Sequence, residues 1–341
     1  MTRSAKRRFS REVQSTVDGI AFGSTGPVLV HEYDPPAGGM WIDDVIPGKL
    51  AALDRGTGEV AWSSPCEVGY GRGFGAGIGR EEDAIVLGPS SKGHLVARMS
   101  LRTGELLGAG PIDAFDEALV FGDLCFCVTP RRIFAIEPSA MSEAWEYSRP
   151  GERYHHVARS GEKIFVVYTH SAGKKLGVLR LDAQTGEFEA EVLAPRQPVI
   201  HGIAANQDGI VLLTRDLSAA LPAELSPQFM LDLSRRSDGA ISDTLSLLAL
   251  PTTATAGDAP LWYEIVSTQP FDEIPEAGIA ADAGKLYLVK GALLEVRDTL
   301  TGRMLGDWAV PGLDESVAFQ VSDGAGLVAE ETRVSVFELP A

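Results

Sequence analysis

A membrane-spanning helix needs about 18 or more consecutive apolar residues, and this sequence has no such run. It also lacks the apolar core of a secretory leader. Residues 1–19 carry Arg3, Lys6, Arg7, Arg8 and Arg11, with no continuous apolar stretch behind them. The expected location is therefore the cytoplasm, with no membrane partner. Cysteine is scarce, three in 341 residues, which excludes a disulfide framework. Cys125 and Cys127 stand two apart in a strand-like run, so both point to one face. Same-face neighbours on a strand lie about 6.5–7 Å apart, too far for an easy bridge. Cys66 stands alone, and all three read as small buried apolar residues.

Positive charge is short as well. Thirty Lys and Arg face 47 Asp and Glu, a net charge of −17. Such a surface repels nucleic acid and anionic lipid, and it favours a cationic or neutral protein, peptide or small molecule as partner. Two catalytic signatures are missing: the Gly-x-Ser-x-Gly nucleophile elbow and the His-Glu-x-x-His zinc spacing. The glycine run 69–79 contains Gly-x-Gly-x-x-Ala, but a dinucleotide fingerprint needs a helix behind it, and Arg80-Glu81-Glu82-Asp83 and another strand follow instead. The run reads as an inner strand in a crowded place where only small residues fit.

What is present is a repeat. Apolar residues lead to Asp, two residues, Thr-Gly and a short strand. Leu50 to Asp54 runs into Thr57-Gly58 and Trp62. Val178 to Asp182 runs into Thr185-Gly186. Leu294 to Asp298 runs into Thr301-Gly302 and Trp308. Ser100 takes the Asp place before Thr103-Gly104, and Glu137 takes it before Trp145. A weak copy is read over residues 230–239 with Asp232, and a half-copy ends at Glu338. The copies recur every 47 residues or so, the length of a four-stranded propeller blade. Asp accepts backbone hydrogen bonds at the corner and Gly closes it, so each corner joins the third and fourth strands of a blade. Asp208-Gly209, Gly284, Gly161 and Asp323-Gly324 mark a second hairpin, between first and second strands. The last copy has three strands, and residues 9–17 are expected to supply its outer strand, leaving 1–8 as a solvated basic tail.

The Leu-x-Ala-Leu-Asp-x-x-Thr-Gly-x-x-x-Trp pattern resembles the PQQ-like, quinoprotein-type propeller repeat. That resemblance covers the whole chain and implies an all-β, seven-bladed β-propeller forming a single domain. Quinoprotein dehydrogenases of this family carry adjacent paired cysteines near the cofactor. None exist here, so PQQ is not expected and no cofactor is identified. The family's exported outer-membrane assembly lipoproteins carry a lipobox, which is missing too.

In such a fold the long connections are expected at the blade ends opposite the Thr-Gly corners: residues 32–49, 215–228 and 251–271. They supply the ligand-binding candidates Trp41, Asp43, Asp44, Arg215, Trp262 and Tyr263, with Arg72 and Tyr154 nearby. His155, His156, His170 and His201 fall at the same ends and are the candidate catalytic residues. His156 and His201 are candidates to hold a metal, although no diagnostic spacing supports one. Asp43, Asp44, Glu264, Asp272, Glu273 and Glu276 are possible acids or bases, and nothing singles out a pair. Two functions follow: a non-catalytic binding platform, or a propeller enzyme (hydrolase, lyase or cyclase) working through these histidines.

Overall fold

The computed structural model describes residues 3–23, 25–35, 46–71, 73–80, 82–170, 175–194, 199–215, 245–255, 258–267 and 278–339. Every regular element among them is a strand. The strands form seven blades, each an antiparallel meander in sequence order from an inner to an outer strand. The first blade holds β3 (Thr16–Phe22), β4 (Val28–Tyr33), β5 (Ile46–Leu53) and β6 (Val60–Tyr70). The second holds β7 (Gly75–Ile78), β8 (Asp83–Ser90), β9 (Gly93–Ser100) and β10 (Leu106–Ile112). The third holds β11 (Glu117–Phe121), β12 (Leu124–Val128), β13 (Ile133–Glu137) and β14 (Ser142–Tyr147). The fourth holds β15 (Glu152–Ser160), β16 (Lys163–His170), β17 (Lys175–Asp182) and β18 (Phe188–Ala194). The fifth holds β19 (Val199–Asn206), β20 (Gly209–Arg215), β21 (Leu245–Leu250) and β22 (Trp262–Ser267). The sixth holds β23 (Ile279–Asp282), β24 (Lys285–Lys290), β25 (Leu293–Asp298) and β26 (Met304–Ala309).

The last blade is β27 (Ala318–Ser322), β28 (Ala325–Glu330) and β29 (Arg333–Glu338), completed by β2 (Lys6–Glu12) from the other end of the chain. The N-terminal closure is therefore present, but it starts earlier than residue 9, and Thr16 already opens the first blade. Nor are residues 3–8 a free tail. Lys6, Arg7 and Arg8 lie on β2, and β1 (Arg3–Ser4) pairs in parallel with β26, with the Arg3 guanidinium over the Trp308 ring at 5.7 Å. A strand that satisfies an exposed ladder outweighs the tail's preference for water.

The chain divides into two compact units. One comprises residues 1–4 and 148–314 and holds the fourth to sixth blades; the other comprises 5–147 and 315–341 and holds the rest. In both, alternate apolar residues of neighbouring blades pack face to face. Phe165, Val167 and Val178 meet Ile210, Leu212 and Leu248 between the fourth and fifth blades. Val30 and Leu53 meet Leu327 and Val336 between the first and last. Each such side chain contributes about 1.5–3 kcal/mol through burial.

The corners are built as the repeat requires. Asp54 Oδ1 accepts hydrogen bonds from Gly56 N (3.0 Å), Thr57 N (2.8 Å) and Thr57 Oγ1 (2.9 Å), and Gly58 N donates to Asp54 O at 2.8 Å. Asp182 and Asp298 repeat the pattern with Thr185 and Thr301. The glycine serves a second purpose. Gly104 has φ +70°, and a Cβ there would lie 2.5 Å from Trp62 of the preceding blade, whose Nε1 donates to Leu101 O at 2.7 Å. Trp262 docks in the same way on the sixth-blade corner, with Nε1 donating to Thr299 O at 2.7 Å and its ring against Gly302. On β2, Phe9 takes this place over Gly58. Corner and outer-strand aromatic therefore lock one blade to the next.

The weak fifth copy is not where the repeat was read. Residues 230–239, with Asp232, lie outside the described residues, and the third strand of that blade is β21. Its corner falls at Pro251 rather than at an Asp. Residues 251–261 then join β21 to β22, so this long connection stands at the corner end of its blade, contrary to expectation. Burial explains the misreading, since every residue of β21 is buried and the one polar residue, Ser246, does not stand at a corner.

The glycine run behaves as read. A Cβ on Gly75 would come within 2.8 Å of Ala118 Cβ on the third blade's inner strand, and one on Gly77 would overlap Val120.

Candidate functional site

The two ends of each blade differ in what their side chains are doing. At the corner ends the Asp, Thr and Gly groups bond to one another, and the aromatic of the neighbouring blade covers them. At the opposite ends the inner strands are irregular. β3 carries a bulge between Val17 and Gly19, β15 between Tyr154 and Val157, and β19 between Ile200 and Gly202. A bulge adds a residue to one strand and re-aims side chains. The added residues are Asp18, His155 with His156, and His201.

The fourth and fifth blades share one such region. Arg153 lies opposite Thr169 in the register and Tyr154 opposite Tyr168, so Arg153 and Thr169 share a face. The bulge falls at His155 and His156, and His155 Nε2 meets Thr169 Oγ1 on that face at 2.9 Å. Val167 and Phe165 continue the same face downward and pack against the fifth blade. From the fifth blade, Ile200 packs into that core, and its register partner Thr214 lies opposite Ser246. Thr214 and Ser246 are both buried, and the Ser246 Oγ has no hydrogen-bond partner among the described residues.

The other face of β15 is closed. Tyr154 is buried, its hydroxyl donating to Glu152 Oε2 at 2.8 Å and accepting from Arg149 N at 2.8 Å. Arg149 reaches Glu191 at 3.1 Å, and Tyr168 donates to the same Glu191 oxygen at 3.2 Å. Burial, and then the charge of Glu191, hold the Tyr168 phenol far above its ordinary range. Tyr154 is thus a structural strut, on the face of β15 opposite to that of Arg153 and Thr169.

A second polar cluster lies in the first blade and had no sequence signal beyond a single histidine. His31 on β4 is fully buried. Its Nδ1 meets Asp18 Oδ2 at 3.2 Å and its Nε2 meets Val68 O at 3.0 Å, with Phe74 stacked on the ring at 4.7 Å. Gly48 leaves the space the ring occupies, and the extra residues of β6 between Cys66 and Gly69 turn the Val68 carbonyl toward it. At the same end, Tyr33 stacks on Tyr70 at 4.4 Å, and Tyr70 is 38% exposed. Glu32 is buried there, and burial raises its carboxyl above the usual range against the opposing pull of Lys49 at 3.6 Å.

Several sequence candidates can now be placed. Trp41, Asp43, Asp44 and Arg72 lie outside the described residues, as do Asp272, Glu273 and Glu276. Arg215 ends β20 at the end opposite the corner. Trp262 and Tyr263 are not on a loop at all. They lie on β22, where Trp262 locks onto the next blade and Tyr263 packs beside the fourth-to-fifth core. An outer-strand aromatic has a corner to cover, which the loop reading overlooked. His170 ends β16 opposite Glu152, on the other side of the strand from His155. His155, His156 and His201 are brought to facing inner strands, but no group of three His, Cys, Asp or Glu side chains suited to a metal occurs among the described residues.

No protein-family model matches the chain, and no curated protein sequence does. Solved structures do. BamB from Moraxella catarrhalis is 12% identical, over 98% of this chain and 100% of that one, with a TM-score of 0.51. The chain is a seven-bladed β-propeller. The likeness agrees with the quinoprotein-type repeat in the sequence, and at this identity it speaks for the fold alone.

Proposed function

We propose that this propeller is a non-catalytic platform that holds a protein or peptide at the blade ends opposite the corners. The supporting observation is the contrast between the two ends. Corner groups are engaged in building the fold, whereas the opposite ends vary from blade to blade, with Tyr70 there in one unit and Arg153 and the bulged histidines in the other, each on a sheet scaffold. Aromatic and Arg side chains are the residue types that anchor protein contacts. The acid excess over the whole surface favours a partner that is cationic or neutral overall.

The test is to select peptides on the purified protein and map where they lie. A photoreactive side chain at position 70 or 170 should crosslink the selected peptides. One at position 106 or 188, just past a corner, should not. Crosslinking confined to positions 106 and 188 would overturn the reading.

A further inference from the structure

The junction of the fourth and fifth blades holds a basic side chain that no acid offsets among the described residues. One face of β15 holds Arg153 and His155, with His156 beside them in the bulge, and the facing inner strand β19 adds His201 at its own bulge. Arg153 is exposed and has no carboxylate partner among the described residues. The nearby carboxylates, Glu152 and Glu191, are held by Arg149, Tyr154 and Tyr168 on the other side of the strand. Arg153 is thus a permanent cation without a carboxylate partner, on a strand that also carries two histidines, in a chain with 17 more acidic than basic groups.

A second observation is independent of charge. Thr169, Thr214 and Ser246 line the same junction with hydroxyls, two of them buried. Ser246 Oγ is fully buried without a hydrogen-bond partner among the described residues, a state that ordinarily costs about 1–3 kcal/mol. Alternate residues 246, 248 and 250 of β21 share a face, and Leu248 and Leu250 pack on the fourth blade, so Ser246 is turned to the same side.

We propose that this junction binds a carboxylate, held by Arg153 through charge-assisted hydrogen bonds and by the imidazole and hydroxyl donors around it. The planar guanidinium suits a planar two-oxygen acceptor. The inference stands apart from the platform reading except for the source of the group. A peptide ligand would supply an acidic side chain, and otherwise a small carboxylic acid would.

The experiment follows the ring C–H resonances of His155 and His156 during titration with glutarate, with a tetrapeptide of glutamate, with neutral glutaramide and with inorganic phosphate. Shifts that saturate with glutarate or the glutamate peptide, but not with glutaramide, support the site. Which of the two binds more tightly tells the source. Arg153→Gln should weaken binding at least tenfold, Arg153→Lys less, and Arg102→Gln at a remote corner not at all. Equal response to glutaramide, tighter binding of phosphate than of both carboxylates, or an unaffected Arg153→Gln would each overturn the proposal. If peptide selection finds nothing while glutarate still binds, the platform reading falls and the carboxylate site stands.

Discussion

At the scale of single residues, the corner glycines and the aromatics above them form the most demanding contacts in the molecule. Gly302 has φ +70°, and a Cβ there would reach within 2.5 Å of the Trp262 ring. Gly302→Ala should therefore cost about 1–3 kcal/mol for the backbone alone, with the ring displaced in addition. Trp262→Phe, which keeps most of the ring but loses the bond to Thr299 O, should cost about 1 kcal/mol. Urea unfolding of the two variants and of the double variant checks this, and the double cost should be less than the sum because both changes disturb one contact. The corner acids carry a pH signature. Hydrogen bonds from the Thr301 hydroxyl and then its backbone N–H hold Asp298 below its usual carboxylate range, as the Thr57 backbone and hydroxyl do for Asp54. A carboxyl whose pKa is lowered on folding stabilises above its unfolded value and loses that contribution as pH falls through the folded value. The melting-temperature gap between the native protein and Asp298→Ala should thus be constant from neutral pH down to about 5 and shrink below about 4.

At the scale of elements, strand periodicity decided which predictions held. Cys125 and Cys127 share one face of β12, as their spacing requires, and both are buried with Phe134 and Ile136. Burial pushes both thiols up, and it pushes Cys66 up to about 11. Few thiolates then exist at ordinary pH. A disulfide reagent at pH 8 should leave all three thiols unmodified in the native protein and react with all three in denaturant; rapid reaction of any one without denaturant would contradict the packing. Corners that close within five residues were legible because Asp, Thr and Gly satisfy one another locally. β21 was not legible. Buried on both faces, it carries one polar residue, Ser246, away from the corner and is followed by Pro251, so no Asp or Thr-Gly marks its end. The bulges that present His155, His156 and His201 were equally silent, because a bulge is set by pairing with another strand.

At the scale of the whole molecule, the N-terminal strand β2 and the last strand β29 meet in one sheet. Phe9 on β2 is buried with Val334 and Val336 of β29 and covers Gly58 of the first blade. Phe9→Asp should detach β2, expose the β29 edge and lower the melting temperature, with self-association visible by light scattering as bare edges pair. A variant that remained monomeric and as stable as the native chain would show that β2 contributes nothing. A net charge of −17 favours cationic or neutral ligands overall, yet charge summed over a chain says nothing of how it is distributed from strand to strand.

The sequence by itself determined the strand meander, its repeat length, the corner chemistry and the return of the N-terminus to the last blade. Each of these rests on hydrogen bonds or alternation within a few residues, or on a missing strand that only one segment could fill. Tertiary structure alone decided which strand completes the fifth blade and what each outer-strand aromatic covers. It also decided that the bulges of β15 and β19 would fall at His155, His156 and His201, because those depend on register between strands far apart in the chain.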